Sequence, residues 1–504
     1  MSIARVFGGQ GGVLTGDIIT IEADLSRGLH SFSIVGLAGK AVDEAKDRVS
    51  AAIKNSGFSS PKSQNHRVII SLAPADLKKE SPLFDLPIAI AYLAAAKEIT
   101  SPADTTLFIG ELGLDGRLRK VKGVLPVVEA AAKAGFTEVI VPADNAEESA
   151  LISNITVIPA RTLMEVVRHI DHTRDDHTLV PPAPETQIAH LWDEGTVRFE
   201  DVRGQESAKR GLIIAAAGRH NSLLVGPPGT GKTMLARAFQ GILPPLSRRE
   251  ALEVTAIHSI AGSLTDTISS RPPFRSPHHT ASHTSLVGGG THPKPGEVTL
   301  AHRGVLFLDE FPEFERRSID ALRQPLEDRV VSISRIHSSV LFPADFILIA
   351  AMNPTRGGND QGDYASLMLE TYKHKISGPI LDRIDLWLSV PHVNYNDMTS
   401  VNKQEGETGR AREEILRARE RQAVRFKQLG IVANAEMTAR IIDETIKLSG
   451  AVRDLLTTSA VKLKLSPRSY HRLVKVSRTI ADLDDKDDIA ESHVLEALQY
   501  RVKL

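Results

Sequence analysis

The chain has 504 residues, of which 41% are hydrophobic and 24% are charged, and its formal net charge is −1. A chain of this length is too long for one hydrophobic core and predicts about three domains. It contains no cysteine, which excludes disulfides and thiolate metal sites. The balanced charge excludes a globally basic surface, so any contact with nucleic acid must be local. No export signal or membrane-spanning apolar run is present, and we expect a cytoplasmic protein without a membrane partner.

The first domain boundary is predicted near residue 170. Residues 171–186 are polar and rich in proline, and such a segment continues neither a helix nor a central strand. We therefore predict an N-terminal domain over residues 1–170, a linker over residues 171–195 and a second domain that begins at residue 196.

A phosphate-binding loop opens the functional part of the second domain. The pattern G-x-x-x-x-G-K-[ST] is matched by Gly226, Pro227, Pro228, Gly229, Thr230, Gly231, Lys232 and Thr233. An apolar run precedes the loop and a helix-like stretch beginning at Met234 follows it, as this motif requires. Backbone N–H groups and the helix N-terminus would bind phosphates, Lys232 would reach the outer phosphates, and Thr233 would hold Mg²⁺. The sequence therefore predicts a site for ATP and Mg²⁺.

Residues 271–300 are rich in proline, glycine and histidine. His278, His279 and His283 could be drawn as a metal site, because imidazoles four residues apart can share one helix face. The proline and glycine content argues against a helix in this segment, and no acid or cysteine nearby completes a ligand set. We therefore expect no metal at these histidines.

Two further apolar runs end in polar side chains. The run 305–308 ends in Asp309 and Glu310, which is typical of a buried parallel strand that delivers carboxylates to its carboxyl end. Asp309 would hold Mg²⁺, and Glu310 would orient and deprotonate an attacking water. The run 346–351 leads to Asn353, whose amide could position that water. Taken alone, Asn353 would be a turn residue, and the two preceding strands favour the catalytic interpretation.

Residues 329–341 alternate apolar and polar side chains about a polar tip, which predicts a hairpin. Arg335 and His337 would project from that tip.

The strand signals stop after Val390 and Pro391. The ranges 409–426 and 443–464 carry helical spacing with many charges. We therefore predict an α/β core over residues 196–392 and a helical lid over residues 393–504.

These features and several short motifs resemble the YifB/ComM family of magnesium-chelatase-like AAA+ ATPases over nearly the whole chain. The motifs are Ile34–Leu37, Leu72–Leu77, Phe84–Pro87, Gly110–Gly116, Pro277–Thr280, Leu381–Asp385 and Arg478–Asp482. The resemblance implies an α/β multidomain fold with a Lon-protease-like N-terminal domain, a central AAA+ P-loop core and a C-terminal helical lid. It also implies a homo-hexameric helicase that drives branch migration of DNA during natural transformation.

The resemblance assigns roles to four further residues. Arg383 matches the arginine finger that completes the site of a neighbouring subunit, and such an arginine accelerates phosphoryl transfer by about 10³ to 10⁵. Arg468 matches the lid arginine that senses the γ-phosphate. Val202 and Gln205 match the segment that packs beside the adenine. From spacing alone, either arginine would be a surface ion pair.

The resemblance also interprets the two inserted elements. Relatives carry an insert at residues 271–300 that faces the central channel of the ring. Six hairpin tips with Arg335 and His337 would form a collar that contacts the phosphates of single-stranded or branched DNA. The alternative is a solvated hairpin tip without a DNA contact.

The N-terminal domain departs from the Lon proteases at their serine and lysine. Alignment places Leu83 at the serine nucleophile and Leu125 at the lysine base. Ser81 is nearby but out of register. We therefore expect a scaffold without protease activity, which argues against an ATP-dependent protease.

Two functions remain at this stage. The first is an ATP-hydrolysing ring motor that acts on branched or single-stranded DNA. The second is a magnesium-chelatase-type motor that remodels a protein complex without contacting DNA.

Overall fold

The protein is described by a computed structural model. The described residues are 2–12, 15–37, 39–61, 65–75, 77, 79, 82–188, 192, 195, 197–263, 270–290, 294–335, 338–353, 376–393, 406–463 and 465–501. They form two compact units. The first unit contains Met1–Ala189 and Ala251–Ile268, and the second contains His190–Glu250 and Ser269–Leu504. No helix in the described part of the chain is both long and apolar enough to span a bilayer.

A seven-stranded mixed sheet forms the centre of the first unit, in the order β3-β4-β2-β1-β5-β8-β9. The strands of the first unit are β1 (Ser2–Gly11), β2 (Gly16–Arg27), β3 (Ser31–Val35), β4 (His66–Ala73), β5 (Thr106–Phe108), β6 (Glu111–Leu112), β7 (Leu118–Arg119), β8 (Glu138–Pro142) and β9 (Thr156–Ala160). Strands β6 and β7 pair with each other in a separate two-stranded sheet. Strands β1 and β2 pair antiparallel, as do β2 and β4, and the remaining neighbours are parallel. In β2, Ile19, Ile21 and Ala23 are buried at alternate positions, because successive side chains of a strand point to opposite faces.

The helices described between residues 40 and 170 pack around this sheet. They are α1 (Lys40–Asn55), α2 (Asp85–Ala95), α3 (Val124–Lys133), α4 (Ala146–Ser149) and α5 (Leu163–Ile170). Every residue of α2 is buried, which agrees with its largely apolar sequence, and its first residue, Asp85, accepts hydrogen bonds from Arg48. Much of the segment predicted as a linker is irregular, but it hydrogen-bonds to the sheet, since Ala183 N donates to Val157 O at 2.8 Å.

The second unit is built on a five-stranded sheet in the order β11-β14-β17-β10-β18, and every neighbouring pair is parallel. The strands of this unit are β10 (Ser222–Val225), β11 (Phe274–Arg275), β12 (Gly288–Gly289), β13 (Lys294–Pro295), β14 (Val305–Leu308), β15 (Val330–Arg335), β16 (Ser338–Pro343), β17 (Ile347–Met352) and β18 (Leu386–Ser389). The predicted apolar strands β10, β14 and β17 are confirmed. Strands β14 and β17 are buried along their whole length, as expected for a sheet covered on both faces.

The helices that precede or connect these strands in the chain belong to the second unit, except for most of α8. They are α6 (Glu206–Gly218), α7 (Lys232–Gly241), α8 (Arg248–Ala261), α9 (His283–Val287), α10 (Glu297–Leu300), α11 (Arg316–Ala321), α12 (Arg323–Asp328) and α13 (Gly378–Leu381). The expectation that residues 271–300 lack a helix was wrong, since α9 and α10 both lie in this range, and Ser282 caps α9 by accepting a hydrogen bond from Ser285 N. The predicted hairpin is present, with Arg335 of β15 paired to Ser338 of β16.

Most of α8 belongs to the first unit, although the chain before and after it belongs to the second. Ala256 of α8 packs against Leu125 and Leu151. The hydroxyl of Ser259 accepts a hydrogen bond from Gly123 N at 3.1 Å and donates to the buried carboxylate of Glu148 at 2.9 Å. The position aligned with the Lon lysine is therefore covered by this helix.

The C-terminal part of the second unit is helical in its described residues, as predicted. Its helices are α14 (Glu407–Arg425), α15 (Ala439–Thr445), α16 (Gly450–Lys462), α17 (Pro467–Leu483) and α18 (Glu491–Gln499). The range 443–464 contains two helices, because Ser449 caps a new helix at Gly450. The fully buried Asp482 accepts hydrogen bonds from Arg478 of the same helix and from Arg425 and Asn434, and the last two bonds tie α17 to the neighbouring lid segments.

Candidate nucleotide site

The predicted phosphate-binding loop connects β10 to α7. Gly226 lies where a side chain could not fit, because a Cβ there would be 2.0 Å from Val390 O. Gly231 has a φ of +93°, which favours glycine, and it caps the N-terminus of α7. Thr230 closes the loop by donating to Pro227 O at 3.0 Å. Local sequence therefore dictates a loop with backbone amides at a helix N-terminus, which is suited to bind phosphate.

Lys232 is the first residue of α7, and it is largely buried at 7% exposure. Its Nζ donates to Gly226 O at 2.8 Å and to Pro227 O at 2.7 Å. Burial lowers the pKa of Lys232 from its ordinary value, and the charge of Asp309 opposes this effect. The ammonium group thus lies inside the loop.

Thr233 and Asp309 are brought together from sequence positions far apart. The Thr233 hydroxyl donates to Asp309 Oδ2 at 2.8 Å, and Asp309 Oδ1 accepts from Glu310 N at 2.9 Å. A hydroxyl and a carboxylate beside a phosphate-binding loop are oxygen ligands of the kind that Mg²⁺ prefers. These two residues would hold Mg²⁺, which would neutralise charge on the outer phosphates.

Glu310 and Asn353 follow the neighbouring strands β14 and β17. Glu310 has a φ of +50°, and its carboxylate lies 3.3 Å from His279 Nδ1. Asn353 comes directly after β17, and Met352 O accepts a hydrogen bond from Gly226 N at 3.3 Å. Both predicted water-contacting side chains therefore lie at the edge of the sheet that carries the phosphate-binding loop.

The segment predicted to pack beside adenine, which contains Val202 and Gln205, is hydrogen-bonded to the chain just after β18. Val202 is buried in the hydrophobic core of the second unit. Gln205 Nε2 donates to Pro391 O at 2.6 Å, whereas the buried Gln205 Oε1 has no hydrogen-bond partner in the described part of the structure. An unpaired buried acceptor is costly, and the amino group of adenine could satisfy it. These residues fit ATP as the nucleotide.

Arg383 and Arg468 lie together and share one carboxylate. Arg383 is 9% exposed, and it contacts Glu327 and donates to Pro379 O at 2.5 Å. Arg468 Nη2 lies 3.4 Å from Glu327 Oε1. The hydrogen bond from Arg383 lowers the pKa of Glu327. Buried Arg383 Nε has no hydrogen-bond partner among the described atoms.

The register of the sheet separates this pair of arginines from the phosphate-binding loop. Ser222 is opposite Leu386 and Val225 is opposite Ser389, so β10 and β18 start and end together. The loop follows the carboxyl end of β10, whereas Arg383 precedes the amino end of β18 and is tied there by Asn221 Nδ2, which donates to Arg383 O at 3.1 Å. Each strand is four residues long, which separates the edges by about 13 Å. Within one chain, the arginines and the loop lie at opposite edges of the sheet.

The remaining sequence predictions have mixed outcomes. His278 and His279 stack on each other and His283 begins α9, and within the described residues no group of three or more metal-binding side chains occurs. Arg335 is the last residue of β15, and His337 lies outside the described residues, as does Ser81. No sequence pattern indicated the contact between His279 and Glu310 or the role of Glu327, since both depend on residues distant in the chain.

Three family models match the chain. The model described as magnesium chelatase, subunit ChlI, matches residues 198–398, that described as subunit ChlI of Mg-chelatase matches residues 21–145, and that described as the ChlI C-terminal region matches residues 405–501.

Full-length relatives are also similar to this chain. Competence protein ComM of Haemophilus influenzae is 42% identical over 99% of this chain and 98% of its own length. YifB of Escherichia coli is 43% identical over 96% of this chain and 94% of its own length. A more distant match, the DNA replication licensing factor Mcm6 of Drosophila melanogaster, is 22% identical over 60% of this chain and 36% of its own length.

Substitutions of Lys232 and Glu310 should separate binding of ATP from its turnover. We expect Lys232→Ala to abolish tight ATP binding, because the outer phosphates lose a positive charge. We expect Glu310→Gln to retain binding and lose turnover, because the base is removed while Asp309 remains. Fluorescent-nucleotide titration and phosphate release measure the two properties. Normal turnover by Glu310→Gln would contradict the role of Glu310 as the base.

Proposed function

We propose that this chain, which belongs to the YifB/ComM family of magnesium-chelatase-like AAA+ proteins, is a cytoplasmic ATP-hydrolysing motor that forms a ring and acts on branched or single-stranded DNA. The observation that carries the proposal is the separation of Arg383 from the phosphate-binding loop at opposite edges of one parallel sheet. A guanidinium group at the amino edge can reach only the nucleotide of another copy.

The proposed chemistry uses groups from two copies. In one copy, Lys232 and the loop amides bind the phosphates, Thr233 and Asp309 hold Mg²⁺, and Asn353 orients the attacking water. Glu310 accepts the proton of that water. Arg383 from the neighbour stabilises the charge that develops on the transferred phosphoryl group.

We propose that Arg468, like Arg383, acts on the nucleotide of a neighbouring copy. Both arginines contact Glu327, so a neighbour that reaches Arg383 also meets Arg468. Head-to-tail contacts of this kind close into rings when the rotation between copies permits. The proposed assembly is a homo-hexamer, in agreement with the family resemblance.

The DNA part of the proposal has separate support. A competence protein and a DNA replication licensing factor are among the relatives. The first strand of the hairpin β15–β16 ends at Arg335. This residue would supply one basic side chain from each copy to a central collar. The alternative is a motor that remodels a protein complex, and it is favoured by the three matches to magnesium chelatase models.

We propose that the first unit has a Lon-protease-like fold and serves as a scaffold. Leu83 and Leu125 are 2% and 1% exposed and pack in hydrophobic clusters. Neither side chain can act as a nucleophile or a base. This argues against the ATP-dependent protease considered from the sequence.

Mixing two inactive variants tests the shared site. Arg383→Ala should bind ATP without hydrolysing it, and Lys232→Ala should lack tight binding. A mixture should recover part of the activity, because one interface then pairs an intact loop with an intact arginine. Phosphate release is measured after co-assembly, and Lys232→Ala mixed with Glu310→Gln is the control without recovery, since both changes damage the same half of the site. Absence of recovery in the first, co-assembled mixture would count against the shared site.

Salt titration tests the DNA contact. Arg335→Ala should weaken binding to single-stranded and four-way-junction DNA by a similar factor for different sequences, because phosphate contacts do not read bases. The log–log salt slope should fall by up to about 0.7 to 0.9 for each phosphate that the variant no longer neutralises. Basal ATP hydrolysis should be unchanged. The matched control is Arg440→Ala, whose exposed side chain pairs with Glu444 in the lid. Identical slopes and DNA stimulation for Arg335→Ala and the wild type would favour protein remodelling.

A further inference from the structure

His279 contacts the carboxylate that the proposed mechanism uses as its base. His279 Nδ1 lies 3.3 Å from Glu310 Oε2, and the two side chains are 32% and 52% exposed. A proton on Nδ1 would place an N–H donor within 3.3 Å of this oxygen. The other carboxylate oxygen stays available to water. The contact joins the loop before α9 to the carboxyl end of β14.

The His279 ring is held by its neighbours in the loop. It stacks on His278, with the ring centroids 4.2 Å apart and an interplanar angle of 33°. His278 Nδ1 is hydrogen-bonded to Thr280 Oγ1 at 2.8 Å, and His278 O accepts from Ala281 N at 2.9 Å. These bonds form a tight turn that restricts the direction of both imidazoles.

The loop is also fixed at both ends. On one side, Arg275 of β11 makes two hydrogen bonds to Glu297, at 2.6 Å and 2.8 Å. On the other side, α9 buries Leu286 and Val287 and packs against α11, the α-helix that follows Glu310. The imidazole and the carboxylate are therefore carried by elements that pack on each other, and their contact is pre-organised.

We propose that His279 is a positioning residue for ATP hydrolysis. Its Nδ1 holds one oxygen of the Glu310 carboxylate and thereby directs the other oxygen toward the attacking water. A base oriented by a third group is a recurring arrangement in enzymes. The inference rests on the proposed function, because it takes Glu310 as the base. It adds a residue from the segment 271–300 to the hydrolytic machinery.

The atom that makes the contact gives a sharp test. An asparagine amide nitrogen occupies about the position of Nδ1, whereas a glutamine amide nitrogen reaches about the position of Nε2. His279→Asn should therefore retain more activity than His279→Gln. A residue that only filled space would show no such order.

The experiment measures kcat and KM for basal ATP hydrolysis by the full-length chain. His279→Ala should lower kcat about tenfold, which is part of the roughly 10²- to 10⁴-fold that a general base contributes. KM and nucleotide binding should be nearly unchanged, because His279 contacts the base and has no predicted contact with the phosphates. His279→Asn should recover most of kcat. His283→Ala is the matched control, since it removes an imidazole from the first turn of α9, and its kcat should equal that of the wild type.

Glu310→Gln is measured in parallel to separate the two proposals. If Glu310→Gln keeps the wild-type rate, the proposed role of Glu310 fails. If Glu310→Gln is inactive and His279→Ala has the wild-type kcat, only the role of His279 is overturned. A kcat above the wild type for His279→Ala would also overturn it, because the contact would then restrain the base. Equal kcat values for His279→Asn and His279→Gln would also overturn the role of His279. Addition of His279→Ala to Glu310→Gln should cause no additional decrease in kcat.

Discussion

The common direction of the five strands in the second unit determines where each functional side chain lies. Parallel strands place all their carboxyl ends at one edge of the sheet, and the phosphate-binding loop, Asp309, Glu310 and Asn353 follow three such ends. The same constraint places Arg383, which precedes a strand, at the opposite edge. In the proposed mechanism, Arg383 can therefore complete only the site of another copy, and this position is the reason for proposing a shared site.

Charge pairing within one chain complements this arrangement. Arg383 is nearly buried, and an unpaired guanidinium group at such a site would be costly. Glu327 pairs with Arg383 and with Arg468, so both arginines are held near each other at the amino edge of the sheet. At the carboxyl edge, Asp309 pairs with Thr233 and Glu310 with His279. Each half of the proposed site is thus ordered before a neighbour or a nucleotide is engaged.

The parts that could be predicted from the sequence are those that depend on local patterns. Eight consecutive residues identify the phosphate-binding loop, and continuous apolar runs identified β10, β14 and β17. The edge strand β11 was missed because it has two residues within a segment rich in proline and histidine. Helix α9 was excluded because of the proline and glycine content of its segment, but none of these residues lies within His283–Val287. The partners of Glu310 and Arg383 could not be predicted, since each lies more than one element away in the chain. The packing of α8 in the first unit could not be predicted for the same reason, because the hydrogen-bonded residues Ser259 and Glu148 are distant in sequence.

Cross-linking between copies tests most directly whether the two edges of the sheet meet across an interface. The chain has no cysteine, so introduced thiols are unique. Met234 of α7 is 43% exposed beside the phosphate-binding loop, and Asp382 is an exposed neighbour of Arg383. Met234→Cys and Asp382→Cys proteins are mixed with ATP and Mg²⁺ and treated with a short bismaleimide. The account predicts covalent dimers that contain one chain of each variant, and a ladder of larger species from the double variant. Failure of the mixture to form mixed dimers, with cross-links in the double variant confined to single chains, would contradict it.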